Sequence, residues 1–136
     1  MDRSLAREIA MKMLYAASLG GEESMTEVLE QSEQADTLSD SDKTFLENLT
    51  FGVRERQEEL DGVIAQYAQG WALNRLAKVD LTILRMAVYE LKYMPEVPVG
   101  ATINEAVELS KQFCEDKSSG FINGILGSVA RAHTDE

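Results

Sequence analysis

The two prolines of this chain, Pro95 and Pro98, stand three residues apart, and there are no others. Proline lacks an amide N–H and clashes with the preceding helical turn, so it breaks helices. A chain whose breakers sit in one short segment can be helical almost throughout, and here the apolar residues recur at helical period on both sides of it. Leu5, Ile9, Met13 and Ala16, flanked by Ala6, Ala10, Leu14 and Ala17, form one stripe, and Gly20-Gly21 predicts its end. A short helix around Met25, Val28 and Leu29 follows, then a polar loop over residues 32–41. Ser39 or Ser41 is placed to cap a third helix, which buries Phe45, Leu46, Leu49 and Val53. The fourth carries Leu60, Val63, Ile64, Tyr67 and Trp71.

Residues 76–94 are apolar nearly all round, with Val79, Leu81, Ile83, Leu84, Met86, Ala87, Val88 and Leu91 on several faces. A helix of that kind is expected at the centre of a bundle, packed on more than one side. The segment 95–98 stops it. Thr102 and Glu105 read as a T-x-x-E capping box for the sixth helix. Ser118 or Ser119 opens the seventh, with Phe121, Ile122, Ile125, Leu126 and Val129 facing inward. Gly124 and Gly127 lie inside that helix, where close approach of a neighbouring helix would account for them. No alternating pattern is long enough for a sheet. The expectation is an all-α fold of about seven helices forming a single domain over residues 1–136. A two-lobe division falls near residue 56, without a linker.

A chain of 136 residues buries roughly two thirds of its unfolded surface and needs no disulfide or metal to fold. The lone cysteine, Cys114, follows Phe113 in an apolar stretch and reads as an inert core thiol. The charged N-terminus has no apolar signal core, and no stretch is long enough to span a bilayer. A cytoplasmic protein with no membrane association is therefore expected. H-E-x-x-H, C-x-x-C, G-x-G-x-x-G and P-loop patterns are all absent, and the one histidine, His133, sits in a polar tail with nothing to fix its geometry. Neither enzyme activity, a cofactor nor a metal is expected.

The net charge of -11 comes from 13 basic and 24 acidic residues. Phosphate repels such a surface, which lowers the expectation of nucleic-acid binding. The charge is uneven, however. Residues 22–47 hold nine acids against one base, whereas residues 1–18 sum to +1 and residues 75–92 to +2. Asp80 and Arg85 lie on the most apolar helix, where a charge needs a partner. Arg85 is expected to pair with Glu105 or Glu108 on the next helix. Asp80 is open to either a structural role or a partner-facing one.

Four stretches together resemble the NusB family of bacterial transcription antitermination factors. They are R-S-L-A-R-E-I-A-M-K-M-L-Y over residues 3–15, W-A-L-N-R-L-A-K-V-D-L-T-I-L-R-M-A-V-Y-E-L over 71–91, residues 99–113 with I-N-E-A-V-E-L-S-K-Q-F, and residues 117–126 with F-I-N-G-I-L. The resemblance covers essentially the whole chain. It implies two small helical bundles, binding of boxA-type RNA in ribosomal RNA leader transcripts, a partner NusE from the small ribosomal subunit, and loading onto the RNA polymerase antitermination complex.

By the same resemblance, Arg3 and Arg7 match the family's RNA-contacting N-terminal stretch, and their i, i+4 spacing sets them on one helix face. Lys117, Ser118 and Ser119 match a second RNA-contacting region at the start of the last helix, where free N–H groups and the positive dipole end suit a phosphate. Phe121 is placed either to stack on a base or to pack in the core. Tyr15, Arg75 and Asp80 fall to the partner-binding surface, with Tyr15 open to either role. Two departures from the family pattern stand out: Ser4 and Leu5 sit where many relatives carry bases, and Cys114 replaces the glycine often found after the phenylalanine while Gly120 sits where a base is common. A protein-interaction module with little RNA affinity is the alternative reading. NusB-like domains also occur fused to RNA methyltransferases, and 136 residues leave no room for a methyl-donor-binding domain. The oligomeric state is left open, a homodimer included.

Overall fold

The computed structural model describes residues 3–70 and 72–134, the side chains of 133 and 134 excepted. Among the described residues there are seven α-helices, two short 3-10 helices and no strand. Contacts between Cα atoms divide the chain into two units, Met1–Glu55 and Arg56–Glu136. Trp71, assigned above to the fourth helix, and the side chain of His133 lie outside the described residues.

The first unit holds α1 (Ser4–Gly20), α2 (Glu22–Gln31) and α3 (Asp40–Glu55). α1 stops where the glycine pair predicts. Gly21 takes φ +81°, a conformation that costs glycine little, and its N–H donates to Ala17 O at 2.9 Å. The polar segment after α2 is not wholly irregular, because Glu33–Thr37 makes a 3-10 helix. Ser39 is the residue that caps α3: its Oγ accepts the Asp42 N–H at 3.1 Å, and Asp40 and Asp42 occupy the first turn, where the dipole favours acids. α1 packs on α2 and α3 through Ala6, Ile9, Ala10 and Met13, with Phe45, Leu46, Leu49 and Val53 buried on α3.

The second unit holds α4 (Gln57–Tyr67), α5 (Lys78–Tyr93), α6 (Val99–Phe113) and α7 (Ser118–Thr134), with a 3-10 helix at Leu73–Arg75 before α5. α5 contacts α4, α6 and α7, which is why it is apolar all round. Among the described residues no buried side-chain nitrogen or oxygen lacks a hydrogen-bond partner.

Three expectations are corrected. The T-x-x-E pair is not a capping box, because α6 starts three residues earlier, at Val99 after Pro98. Proline just ahead of the first helical residue already fixes the entry of the chain, and Thr102 is instead buried and donates to Glu90 Oε1 at 3.1 Å. Arg85 does not pair with Glu105 or Glu108. It turns to α4, where Nε and Nη2 donate to the two carboxylate oxygens of Asp61 at 2.7 and 2.9 Å. The glycines of α7 do not mark a close approach. A Cβ at Gly124 would meet nothing within 4 Å, and one at Gly127 would meet only Arg131 Nη1 of the same helix, at 3.4 Å.

Gly124 therefore carries the entropic cost of glycine in a helix interior with no packing gain to offset it. Gly124→Ala is expected to stabilise the protein by about 0.5–1 kcal/mol. A higher urea midpoint with unchanged slope would register this, and a lower midpoint would contradict it.

Candidate nucleic-acid interface

In the first unit, Arg3 and Arg7 converge on one aromatic ring. The Arg3 guanidinium carbon lies 4.5 Å from the Phe45 centroid and that of Arg7 lies 5.1 Å away. The i, i+4 spacing from the N-cap of α1 into its first turn brings both cations to the same ring of α3, and a ring face attracts a cation through its quadrupole. Arg3 Nε is 3.5 Å from Asp42 Oδ1, and Nη2 donates to Ser41 Oγ at 3.4 Å. The two arginines differ in access. The Arg3 side chain is one-third accessible, whereas Arg7 is only 5% exposed. Arg3 can reach a phosphate from where it stands; Arg7 lies behind it against Phe45. Tyr15, two turns beyond Arg7 on α1, is exposed.

In the second unit, the start of α5 and the connection from α6 to α7 enclose a cleft of about 550 Å³. Arg75, Asp80, Lys117, Ser118 and Phe121 all line it. Residues assigned from sequence to two separate surfaces thus share one cleft. Lys117 is exposed and Phe121 half-buried. Asp80 is buried and accepts a hydrogen bond from Ser118 Oγ at 2.7 Å, which ties the first residue of α7 to the first turn of α5. That gives Asp80 a structural duty. Ser119 points elsewhere, with its Oγ 2.9 Å from Ser110 Oγ.

Cys114 lines the same cleft. Burial first, then a hydrogen bond donated to Asp80 and the negative charge of that carboxylate, push its thiol up to about 12. The nucleophilic thiolate is therefore essentially absent at neutral pH, in keeping with an inert thiol, although it sits half-buried rather than in the core. Among the described residues no group of three or more His, Cys, Asp or Glu side chains is arranged to hold a metal ion. No helix among them is long and apolar enough to cross a membrane.

Sequence reading missed Ser41, Asp42 and Phe45 as companions of the arginines. The spacing Ser39-x-x-Asp42 signals a helix start, but nothing in it links residue 42 to residue 3. Asp80 and Ser118 are likewise 38 residues apart.

The family model described as NusB family matches residues 4–131. The transcription antitermination protein NusB of Acetivibrio thermocellus is 41% identical over 131 residues, covering 96% of this chain and 90% of that protein. The NusB of Clostridium novyi is 38% identical over 134 residues, 97% of this chain and the whole of that protein. Among solved structures, T. maritima NusB superposes with a TM-score of 0.85 at 31% identity, over 96% of this chain and 92% of that one. A chain from a crystal structure of antitermination factors NusB and NusE in complex with dsRNA gives 0.83 at 27% identity, over 96% of each.

Proposed function

Since this chain belongs to the NusB family, whose members are antitermination factors and not enzymes, we propose that it binds boxA-type RNA in ribosomal RNA leader transcripts together with NusE. The pair then joins the RNA polymerase antitermination complex in the cytoplasm. The observation that carries this reading is the likeness, over 96% of both chains, to a protein crystallised with NusE and dsRNA. In this reading Arg3 and Lys117, both accessible, contact phosphates. Ser118 and Ser119 present the start of α7 to the backbone, Phe121 flanks a base, and Arg7 supports Arg3. Tyr15 of the first unit and Arg75 of the second each contact NusE, and Asp80 holds the start of α7 through Ser118. A basic partner would also be drawn to a chain of net charge -11.

One observation favours a second reading, a protein-interaction module with little RNA affinity. With Arg7 buried, the N-terminal stretch offers one accessible arginine, and each lost phosphate contact weakens binding and flattens its salt dependence. Titrating the protein, alone and with NusE, into labelled boxA-like RNA at two salt concentrations, beside a scrambled RNA, separates the two. Sequence-preferring binding that tightens with NusE and weakens with salt supports antitermination. NusE binding without RNA preference moves the protein to the second reading.

A further inference from the structure

Among the described residues, the arginine cluster of the first unit sets the carboxylate of Asp42 beside Arg3. Asp42 is 5% exposed and lies third in α3, its backbone fixed by the Ser39 cap. A carboxylate at that position commonly reaches back toward the cap residue; here Asp42 Oδ1 stands 3.5 Å from Arg3 Nε. The Arg3 guanidinium is held over Phe45, with Ser41 accepting from Nη2, and stays one-third accessible. Its contact with Asp42 is therefore single and long, not a bidentate fork, and leaves donors for another anion. A phosphate oxygen is a stronger hydrogen-bonding match for guanidinium than one distant carboxylate oxygen.

We propose that Asp42 is a built-in competitor for Arg3: it occupies the guanidinium in the free protein, and RNA binds by taking Arg3 over from it, so that Asp42 sets RNA affinity from beneath the contact surface. This rests on the reading of Arg3 as a phosphate contact. The arrangement keeps Arg3 pre-positioned on Phe45 while making weak, isolated anions poor ligands, since each must displace a carboxylate already present.

The test compares four variants in the titration with boxA-like RNA at low salt: Asp42→Asn, Asp40→Asn, Arg3→Ala, and Arg3→Ala with Asp42→Asn. Asp40 is exposed in the same first turn, so its neutralisation makes the same change in net charge. Asp42→Asn is expected to tighten RNA binding about threefold, the scale of a partly exposed ion pair, and Asp40→Asn clearly less. With Arg3 already alanine, the advantage of Asp42→Asn over Asp40→Asn should vanish. Equal gains from the two asparagine variants would reduce Asp42 to long-range charge and overturn the proposal, as would weaker binding by Asp42→Asn. If Arg3→Ala leaves RNA affinity unchanged, the phosphate-contact reading falls and the proposal with it; if Arg3→Ala weakens binding while the asparagine variants match, the proposal alone falls. Should Asp42→Asn not fold, the wild-type protein still decides. On saturation with RNA, the Asp42 side-chain carboxyl carbon resonance must shift more than that of Asp40, and an unmoved resonance overturns the proposal.

Discussion

Arg85→Ala is expected to destabilise the protein by about 2 kcal/mol, less than the ~3–5 kcal/mol of a fully buried pair because both partners keep some solvent. The side chains of Arg85 and Asp61 are 13% and 26% accessible, and two parallel N–H···O bonds of 2.7 and 2.9 Å join them. Removing the arginine strands a half-buried carboxylate of α4 against the central helix α5. Arg85→Lys keeps the charge yet loses the fork, so about half of the loss should remain. Asp61→Ala should cost a similar amount, and the double variant Arg85→Ala with Asp61→Ala less than the sum of the two, because each single change leaves the other charge without its partner. Urea unfolding of the four variants gives the coupling directly. Additive losses would mean that the pair does not hold α4 on α5 and that some other contact carries the effect.

The arginines of α1 are expected to separate cleanly, although their sequence contexts look alike. Arg7→Ala should cost about 2 kcal/mol of stability, since its stem and guanidinium are packed against Phe45 at 5% exposure. Arg3→Ala should cost under about 0.5 kcal/mol, as expected of a largely solvated ion pair. RNA binding reverses the order of directness. Arg3→Ala should weaken it by at least about tenfold, the lower end of the worth of one charge-assisted hydrogen bond, and flatten the slope of log affinity against log salt by about 0.7 for a single strand. Arg7→Ala should leave that slope in place at temperatures where the variant is folded. Equal stability losses, or a slope change on Arg7→Ala but not on Arg3→Ala, would reverse the assignment of direct and supporting roles.

Much of the fold is legible because helices are local. The stripe Phe45, Leu46, Leu49, Val53 needs only the 3.6-residue period to be recognised, and those four residues are buried. Gly20-Gly21 and the segment 95–98 punctuate the chain through backbone chemistry that no tertiary contact has to supply. The misreadings share a cause too. T-x-x-E has the form of a cap, but whether a helix begins there depended on Pro98 four residues upstream. Gly124 and Gly127 look like packing glycines, but whether a neighbour approaches them is settled only by the packing of the folded chain.

The candidate sites divide along the same line. That Arg3 and Arg7 share a face, and that Lys117 to Ser119 open a helix, follows from spacing and from helix termini alone. Which of the arginines is accessible, which group faces each charge, and which residues gather in one cleft were decided by tertiary structure. Arg3 meets Asp42 across 39 residues, Asp80 meets Ser118 across 38, and Arg85 meets Asp61 across 24. Sequence by itself determined the helical class of this protein, its helix breaks and its family, because periodicity and backbone preference act within a few residues. The pairing of its buried charges required the folded chain, because a charge taken out of water is satisfied by whichever neighbour packing brings within about 3 Å, and packing is a property of the whole unit.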